Sequence, residues 1–367
     1  MDRDNVGARI LIMDSGSYLQ IGGAAKASYQ LYTGLSGKKG CSIDLLGDFS
    51  QIDKGIETID ANTMLDREYD IIFMNSIRDV VIVTKYLRKY PDAKIVYTDR
   101  GNVIVNRVNA GLKALLPKMI ARDMLLSRMG NWLDYYVAIT AGQYREAQRY
   151  FGGNVKIRYI PIAPDKEFKK MKVSNKFDGA IYVGRLDERQ KKIEFLIQGM
   201  KRTKELHADM ADKELLKIVG AGPDELRYRE LVTALSLEDN VVFEGAKYGL
   251  ELVEEYNSAK FFVSTSEWES PGRSFLEAMA CGLPILLNQR NNAIMSFNPE
   301  KRVVRSDYNG LVYDYDEIDG FVGKFHTLYA DAKLRAKLSK GAVEYSKEFS
   351  LEKNIAQYRI IVDSLSK

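Results

Sequence analysis

The chain has 367 residues, 46% of them hydrophobic, and carries a formal net charge of +4 from 54 basic and 50 acidic side chains. That length and apolar content suit two ordinary domains, each with its own core, and the nearly balanced charge argues against a histone-like nucleic-acid binder. Two distant cysteines, Cys41 and Cys281, and only two histidines, His207 and His326, argue against a structural zinc site and suit a reducing compartment.

The chain opens Met1-Asp2-Arg3-Asp4 and passes at once into an apolar run, unlike a secretory signal. No stretch approaches the ~18 apolar residues that span a bilayer. The expected location is the cytoplasm, with the membrane surface left open.

Short β-rich runs then alternate with helical patterns. Residues 9–13 (RILIM) predict a strand and 24–35 the helix after it. Strands follow at 70–75 (DIIFMN), 94–98 (KIVYT), 135–139 (YYVAI) and 157–160 (IRYI), with a helix over 80–90. Pro161, Pro164 and the lysine-rich stretch 166–176 read as a linker. The alternation restarts with strands at 180–183, 217–219, 240–243, 260–264 and 284–287, and the tail from 351 is an amphipathic helix. Strands alternating with helices predict an α/β chain of two doubly wound, Rossmann-like parallel sheets facing each other across a cleft. The expected domains are 1–165 and 176–345, with a C-terminal helix over 346–367 for which a return to the first domain is open. Ligands of such sheets bind beyond the carboxyl ends of the strands, so the loops there are where chemistry is sought.

Residues 264–284 (STSEWESPGRSFLEAMACGLP) carry the strongest signal. A strand ends, a Pro271-Gly272 turn follows, and a helix begins, with Glu269 before the turn and Glu277 eight positions later. Amides of Gly272, Arg273, Ser274 and Phe275 at a helix N-terminus offer an anion site that a diphosphate fits. Glu269 is placed to hold sugar hydroxyls and Glu277 a ribose diol. A second signal is Gly184-Arg185, closing a strand, with Lys191 and Lys192 downstream. Arg185 can bind phosphate oxygens through paired N–H groups, and Lys191 adds a point charge. Weaker signals are Gly22-Gly23 after the first strand, Gly220-Ala221-Gly222-Pro223 and Glu244-Gly245. Asp314-Tyr315-Asp316 has the form of a metal motif but falls outside the expected site loops, so no metal is expected.

The 264–284 block, continuing through Glu277-Ala278-Met279-Ala280, Gly282 and Pro284, resembles the E-x7-E region of retaining GT-B glycosyltransferases of the family 4 type. The resemblance covers most of the second half and the first half only loosely. It implies a hexosyltransferase whose nucleotide-sugar donor, a UDP- or GDP-sugar, sits on the second domain, with the acceptor on the first. It also implies that Glu269 contacts the transferred sugar, Glu277 the ribose, and Arg185 and Lys191 the diphosphate, with same-face attack and no cofactor. Two departures stand out. The family's usual Lys-Gly is Lys191-Lys192 here, and its first-domain histidine is replaced by Thr98-Asp99-Arg100-Gly101, which makes Asp99 or Arg100 the candidate for the sugar or acceptor site.

The basic, apolar stretch 111–132 is either a helix packed on its own core or one that lies on an anionic membrane. The expected partners are a nucleotide-sugar and a lipid-linked or glycan acceptor, with no nucleic acid. The competing readings are a non-catalytic GT-B-like partner subunit and another GT-B enzyme such as a phosphorylase or epimerase. The presence of Arg185, Lys191, Glu269 and Glu277 together favours the transferase.

Overall fold

The computed structural model describes residues 7–15, 23–37, 40–50, 52–100, 117–267, 269, 272–290 and 303–366. The chain divides into two compact units, Met1–Ile162 with Glu352–Lys367, and Ala163–Leu351.

The first unit is built on a six-stranded parallel sheet of β1 (Arg9–Met13), β2 (Ser42–Leu46), β3 (Ile71–Met74), β4 (Lys94–Thr98), β5 (Tyr135–Ala138) and β6 (Lys156–Tyr159), ordered β2-β1-β3-β4-β5-β6. All four residues of β3 and of β5 are buried. A strand covered on both faces has to be a continuous apolar run, and that is how these segments read. The register sets Leu11 between Asp44 and Ile72. Helix Ala141–Phe151 starts from a reciprocal cap in which the Thr140 side chain accepts from the Gln143 amide, while the Gln143 side chain accepts from the Thr140 amide at 3.0 Å.

In the second unit the sheet comprises β7 (Ala180–Val183), β8 (Leu216–Val219), β9 (Val241–Gly245), β10 (Phe261–Ser264), β11 (Ile285–Asn288) and β12 (Gly310–Tyr313), ordered β12-β11-β10-β7-β8-β9 and parallel throughout. The order is that of a Rossmann sheet, and the winding reverses between β7 and β10. In the first unit it reverses between β1 and β3. The expected α/β class with two doubly wound sheets is what the molecule has.

The expected strands lie within two residues of the observed ones at either end. The sequence reading omits β2 and β12. Asp44 interrupts the apolar run of β2, yet its carboxylate accepts from Tyr69 Oη at 2.6 Å and Arg67 Nη1 at 2.8 Å, so a charge sits in a strand without penalty. β12 opens on Gly310, where a Cβ would stand 2.1 Å from the Ile285 carbonyl oxygen. Only glycine allows that strand to close on β11.

The stretch expected to be a linker packs against the second unit instead. Phe168 is buried with its ring edge-on to Tyr256, centroids 5.9 Å apart. Asn257 Oδ1 accepts from the Met171 amide at 2.7 Å, and Lys170 Nζ donates to Ser339 Oγ at 2.8 Å. The lysines that give this segment its linker-like composition hold it down.

The tail helix Leu351–Leu365 contributes to the first unit from Glu352 onward. Tyr358 is buried with its ring edge-on to Phe73 at 5.9 Å, and Asn354 Nδ2 donates to the Pro161 carbonyl at 2.6 Å. Ile355 covers Gly34, where a Cβ would lie 2.5 Å from Ile355 Cδ1. Among the described residues no helix is long and apolar enough to cross a membrane.

Candidate active site

The second unit's switch point gathers most of the residues singled out from the sequence. β7 ends at Val183, and the loop after it is held by backbone pairing: the Gly184 amide donates to Val219 O at 3.0 Å and the Leu186 amide to Ala221 O at 3.0 Å. The glycines after β8 make this approach feasible. A Cβ on Gly220, whose φ is +148°, would sit 1.9 Å from the Gly184 carbonyl oxygen, and one on Gly222 would sit 2.2 Å from that of Leu186. Gly220 and Gly222 therefore allow the close approach that sets the loop carrying Arg185. Arg185 is half exposed, and its guanidinium lies 3.8 Å from Asp187. Hydrogen bonds from Arg189, together with the charges of Arg189 and Arg185, hold the Asp187 carboxyl below the ordinary range. Asp187 also caps the short helix Glu188–Lys191 by accepting from the Arg189 amide.

Lys192 ends that helix in the left-handed conformation, at φ 52° and ψ 46°. This is where the resembling family has glycine, and the backbone shows why: glycine takes this conformation without a steric penalty, whereas a lysine must bear one.

The loop after β10 is stitched to this segment. The Glu267 amide donates to Gln190 O at 2.8 Å, and Thr265 Oγ1 donates to Lys191 O at 2.9 Å. Lys191 Nζ forms an ion pair with Glu269 Oε1, and that same oxygen accepts from Ser266 Oγ at 2.8 Å. Both side chains are largely withdrawn from water, 13% exposed for Lys191 and 7% for Glu269. A pair at that depth interacts far more strongly than one at the surface. Asn288 Nδ2, from the end of β11, donates to the Ser266 carbonyl at 2.8 Å and fixes the turn from the other side.

Helix Arg273–Ala280 begins beside this pair. Its N-cap, Gly272, supplies no side chain to the first amides, so an outside anion can take that place. A Cβ at Gly272 would strike the Phe275 ring at 2.5 Å. Phe275 is buried edge-on against Phe262, and Arg273 Nη1 donates to the Ala163 carbonyl at 3.0 Å. Glu277 is buried, and its Oε2 accepts from Tyr256 Oη at 3.1 Å. Burial, and then the Glu277 charge, pushes the nearby Cys281 thiol up to about 12, which keeps it unreactive.

The structure thus brings Lys191 and Glu269 into contact, and it places Arg185, Gly184, Gly222, Gly272, Arg273, Ser274, Phe275 and Glu277 on the loops and helix of the same switch point. Gly22 and Pro271 lie outside the described residues. Gly23 opens helix Gly23–Ser36 in the first unit. Ser266, Asn288 and Tyr256 escaped sequence reasoning. The polar run Ser264-Thr265-Ser266 at a strand's carboxyl end was the available signal for Ser266, whereas the other two come from separate elements.

In the first unit, Asp99 has no exposed surface. Its carboxylate accepts from Tyr136 Oη at 2.6 Å, and its carbonyl accepts from Gln143 Nε2 at 2.8 Å. Of the two candidates at the end of β4, only Arg100 reaches the surface. A separate polar cluster, missed in the sequence, occupies the switch point between β1 and β3. Ser28 Oγ donates to Asp14 Oδ2 at 2.8 Å, Asn75 Nδ2 donates to Ser28 Oγ at 3.1 Å, and the buried Asp79 accepts from the Ser76 amide at 3.2 Å. Burial, reinforced by the Asp14 charge, pushes the Asp79 carboxyl up to about 7.

Residues 164–345 match the family model described as "Glycosyl transferases group 1". The second unit is a glycosyl transferases group 1 domain. The sulfoquinovosyl transferase SQD2 of Arabidopsis thaliana is 30% identical over 154 residues, which are 41% of this chain and 29% of that protein. The chain therefore spans less than a third of that relative's length. Among solved structures, sucrose-phosphate synthase from Thermosynechococcus elongatus superposes with a TM-score of 0.75 at 18% identity, covering 98% of this chain and 99% of that one. Anabaena HepE, solved with UDP and glucose, gives 0.77 at 16% identity, covering 97% and 100%. At such identities the likeness is one of fold: two Rossmann-like domains in one chain, the GT-B fold. Lys191, Glu269 and Glu277 all belong to the group 1 domain.

Proposed function

We propose that the chain is a retaining, metal-independent hexosyltransferase, using a nucleotide-diphosphate sugar and a lipid-linked or glycan acceptor. One observation carries the reading: Lys191 and Glu269, from the loops after β7 and β10, meet beside the side-chain-free start of helix Arg273–Ala280. The pair supplies a cation for a diphosphate and an acid for sugar hydroxyls at adjoining positions. UDP is the favoured nucleotide because HepE was solved with it.

In this reading the diphosphate lies against Arg185, Lys191 and the first helix amides, Glu269 turns to the sugar hydroxyls, and Glu277 takes the ribose diol. As the bond from the anomeric carbon to the leaving phosphate oxygen breaks, negative charge grows where these donors already point, and each is worth ~3 kcal/mol of barrier. The acceptor hydroxyl bonds to the anomeric carbon on the same face and gives its proton to the departing phosphate. The donors supply the charge compensation that a metal would otherwise provide, so EDTA should leave turnover unchanged. A lipid acceptor is supported by Ile120 and Met124, exposed four residues apart on helix Pro117–Met129 with Arg128 in its last turn. Loss of sedimentation with anionic vesicles in Ile120→Asp/Met124→Asp would support it, and sedimentation equal to wild type would rule it out. We place the enzyme in the cytoplasm, at or near that surface.

The test is to measure melting temperature with UDP-, GDP- and ADP-sugars, and then turnover and product anomer by NMR. A sugar nucleotide bound only by the folded state raises the melting temperature. Glu269→Gln keeps an acceptor for Ser266 and should fold, with turnover reduced by ~10²-fold or more. Lys191→Met leaves Glu269 buried and unpaired and should cost ~3 kcal/mol of stability as well as activity. Wild-type turnover in Glu269→Gln, an inverted product, or no stabilisation by any sugar nucleotide would overturn the reading.

A further inference from the structure

The chain contains only two histidines, 119 positions apart, and the fold brings them together. His207 follows helix Ile193–Leu206 as its C-terminal cap, its amide donating to Thr203 O at 2.9 Å. His326 lies on helix Ile318–Ala330. Their rings stack with centroids 3.8 Å apart and planes within 2° of parallel. Asp209, in the single turn of 3-10 helix Ala208–Met210, brings a carboxylate to the same place, and one ligand atom from each of the three residues lies within 4.8 Å of the others.

We propose that His207, His326 and Asp209 form a surface binding site for a borderline divalent ion of the zinc, nickel or copper class. Two imidazoles and one carboxylate are a donor set those ions prefer, and one that magnesium and calcium do not. Ligand atoms around a tetrahedral zinc stand roughly 3.4 Å apart at bond lengths of ~2.1 Å. The two rings stack in parallel in the ion-free chain, so binding turns them out of that stack until their lone pairs converge, with water completing an exposed shell. The supports are rigid. The two helices pack directly, with Gly199 on one against the Phe321 ring on the other, where a Cβ would stand 2.4 Å from Phe321 Cε1. Arg202 Nε also donates to Asp319 Oδ1 at 2.8 Å. The turn that carries Asp209 is anchored by the buried Met210.

The site is distinct from the one proposed for the donor. His207 lies a full 14-residue helix beyond the Lys191–Lys192 segment, about 21 Å at 1.5 Å per residue. An ion here would fasten the end of one helix to the middle of another and leave the transfer chemistry alone.

The test uses the full chain, free of any histidine tag and treated with chelator. Calorimetric titration with Zn²⁺ should show one equivalent bound, with a rise in melting temperature, and Mg²⁺ should do neither. Because there are only two histidines, their ring protons give a uniquely assignable set of NMR signals, and Ni²⁺ should broaden both sets together. His207→Gln and His326→Gln, each at a partly exposed position, should fold as wild type without metal. Each should lose binding by at least tenfold, and Asp209→Asn by roughly tenfold. Zinc binding that survives in the His207→Gln/His326→Gln double variant, or histidine signals that ignore both ions, would overturn the proposal.

Discussion

Lys192 bears a backbone cost in the left-handed region so that Lys191 can enter the site. Its ammonium recovers little, pairing with Glu267 at 3.6 Å with both side chains about a third exposed, a setting worth well under 1 kcal/mol. Both Lys192→Gly and Lys192→Ala delete that pair, and only glycine relieves the conformation. Lys192→Gly should therefore be more stable than Lys192→Ala by about 1 kcal/mol in urea denaturation, and equal stabilities would mean that the loop relaxes around either residue. At this scale much of the proposed site was legible. Glu269, Glu277, Arg185 and Lys191 stood out because their spacing within single segments resembles a known pattern. Ser266, Asn288 and Tyr256 did not, because their importance lies in partners on other strands and helices, which no local pattern encodes. Asp99 shows the converse: it sits where a family motif would put a functional group, yet Tyr136 draws its carboxylate into the core.

Among elements, the loop after β8 acts as a template for the loop after β7. The two backbones run so close that Gly222 faces the Leu186 carbonyl with no room for a methyl, and the Asp224 amide then donates to that same carbonyl at 3.2 Å. Gly222→Ala should push the Arg185 loop outward. The expected result is a loss of ~2 kcal/mol in stability and weaker binding of the donor nucleotide. Unchanged nucleotide affinity in a folded variant would show that Arg185 does not depend on this buttress. Strand runs buried on both faces were readable because a continuous apolar segment of four or five residues has few other uses. β2 and β12 were not, since one carries a charge that two tertiary partners satisfy and the other opens on a glycine needed for strand contact. The 166–176 segment misled for a related reason: lysines normally mark solvated chain, but here Lys170 and Lys176 donate to Ser339 and to the Asn257 carbonyl.

At the scale of the whole molecule, stability depends on pH through a carboxyl that the proposed chemistry does not use. Asp79 is held by the fold with its carboxyl raised to about 7 from an ordinary value of 3.8, burial being the larger cause and Asp14 adding to it. Below pH 3.8 the group is protonated in both folded and unfolded chains and contributes no difference. Between 3.8 and about 7 the unfolded chain has given up a proton that the folded chain still holds, so stability falls as pH rises. Above about 7 both forms are ionised, and the full penalty, about 4 kcal/mol, is in place. Asn at this position imitates the protonated carboxyl and keeps an oxygen for the Ser76 amide that Asp79 now accepts from. The difference in unfolding free energy between Asp79→Asn and wild type should therefore be small near pH 3.5, grow in favour of the variant up to pH 7, and level off beyond. Because Asp79 belongs to the first unit, the gain should appear in the transition reported by that unit's tyrosine-rich core, while the group 1 domain's transition keeps its own pH dependence. A difference that stays flat across this range would mean that Asp79 ionises as easily folded as unfolded, and that the cluster around Asp14, Ser28 and Asn75 is better solvated than its burial implies.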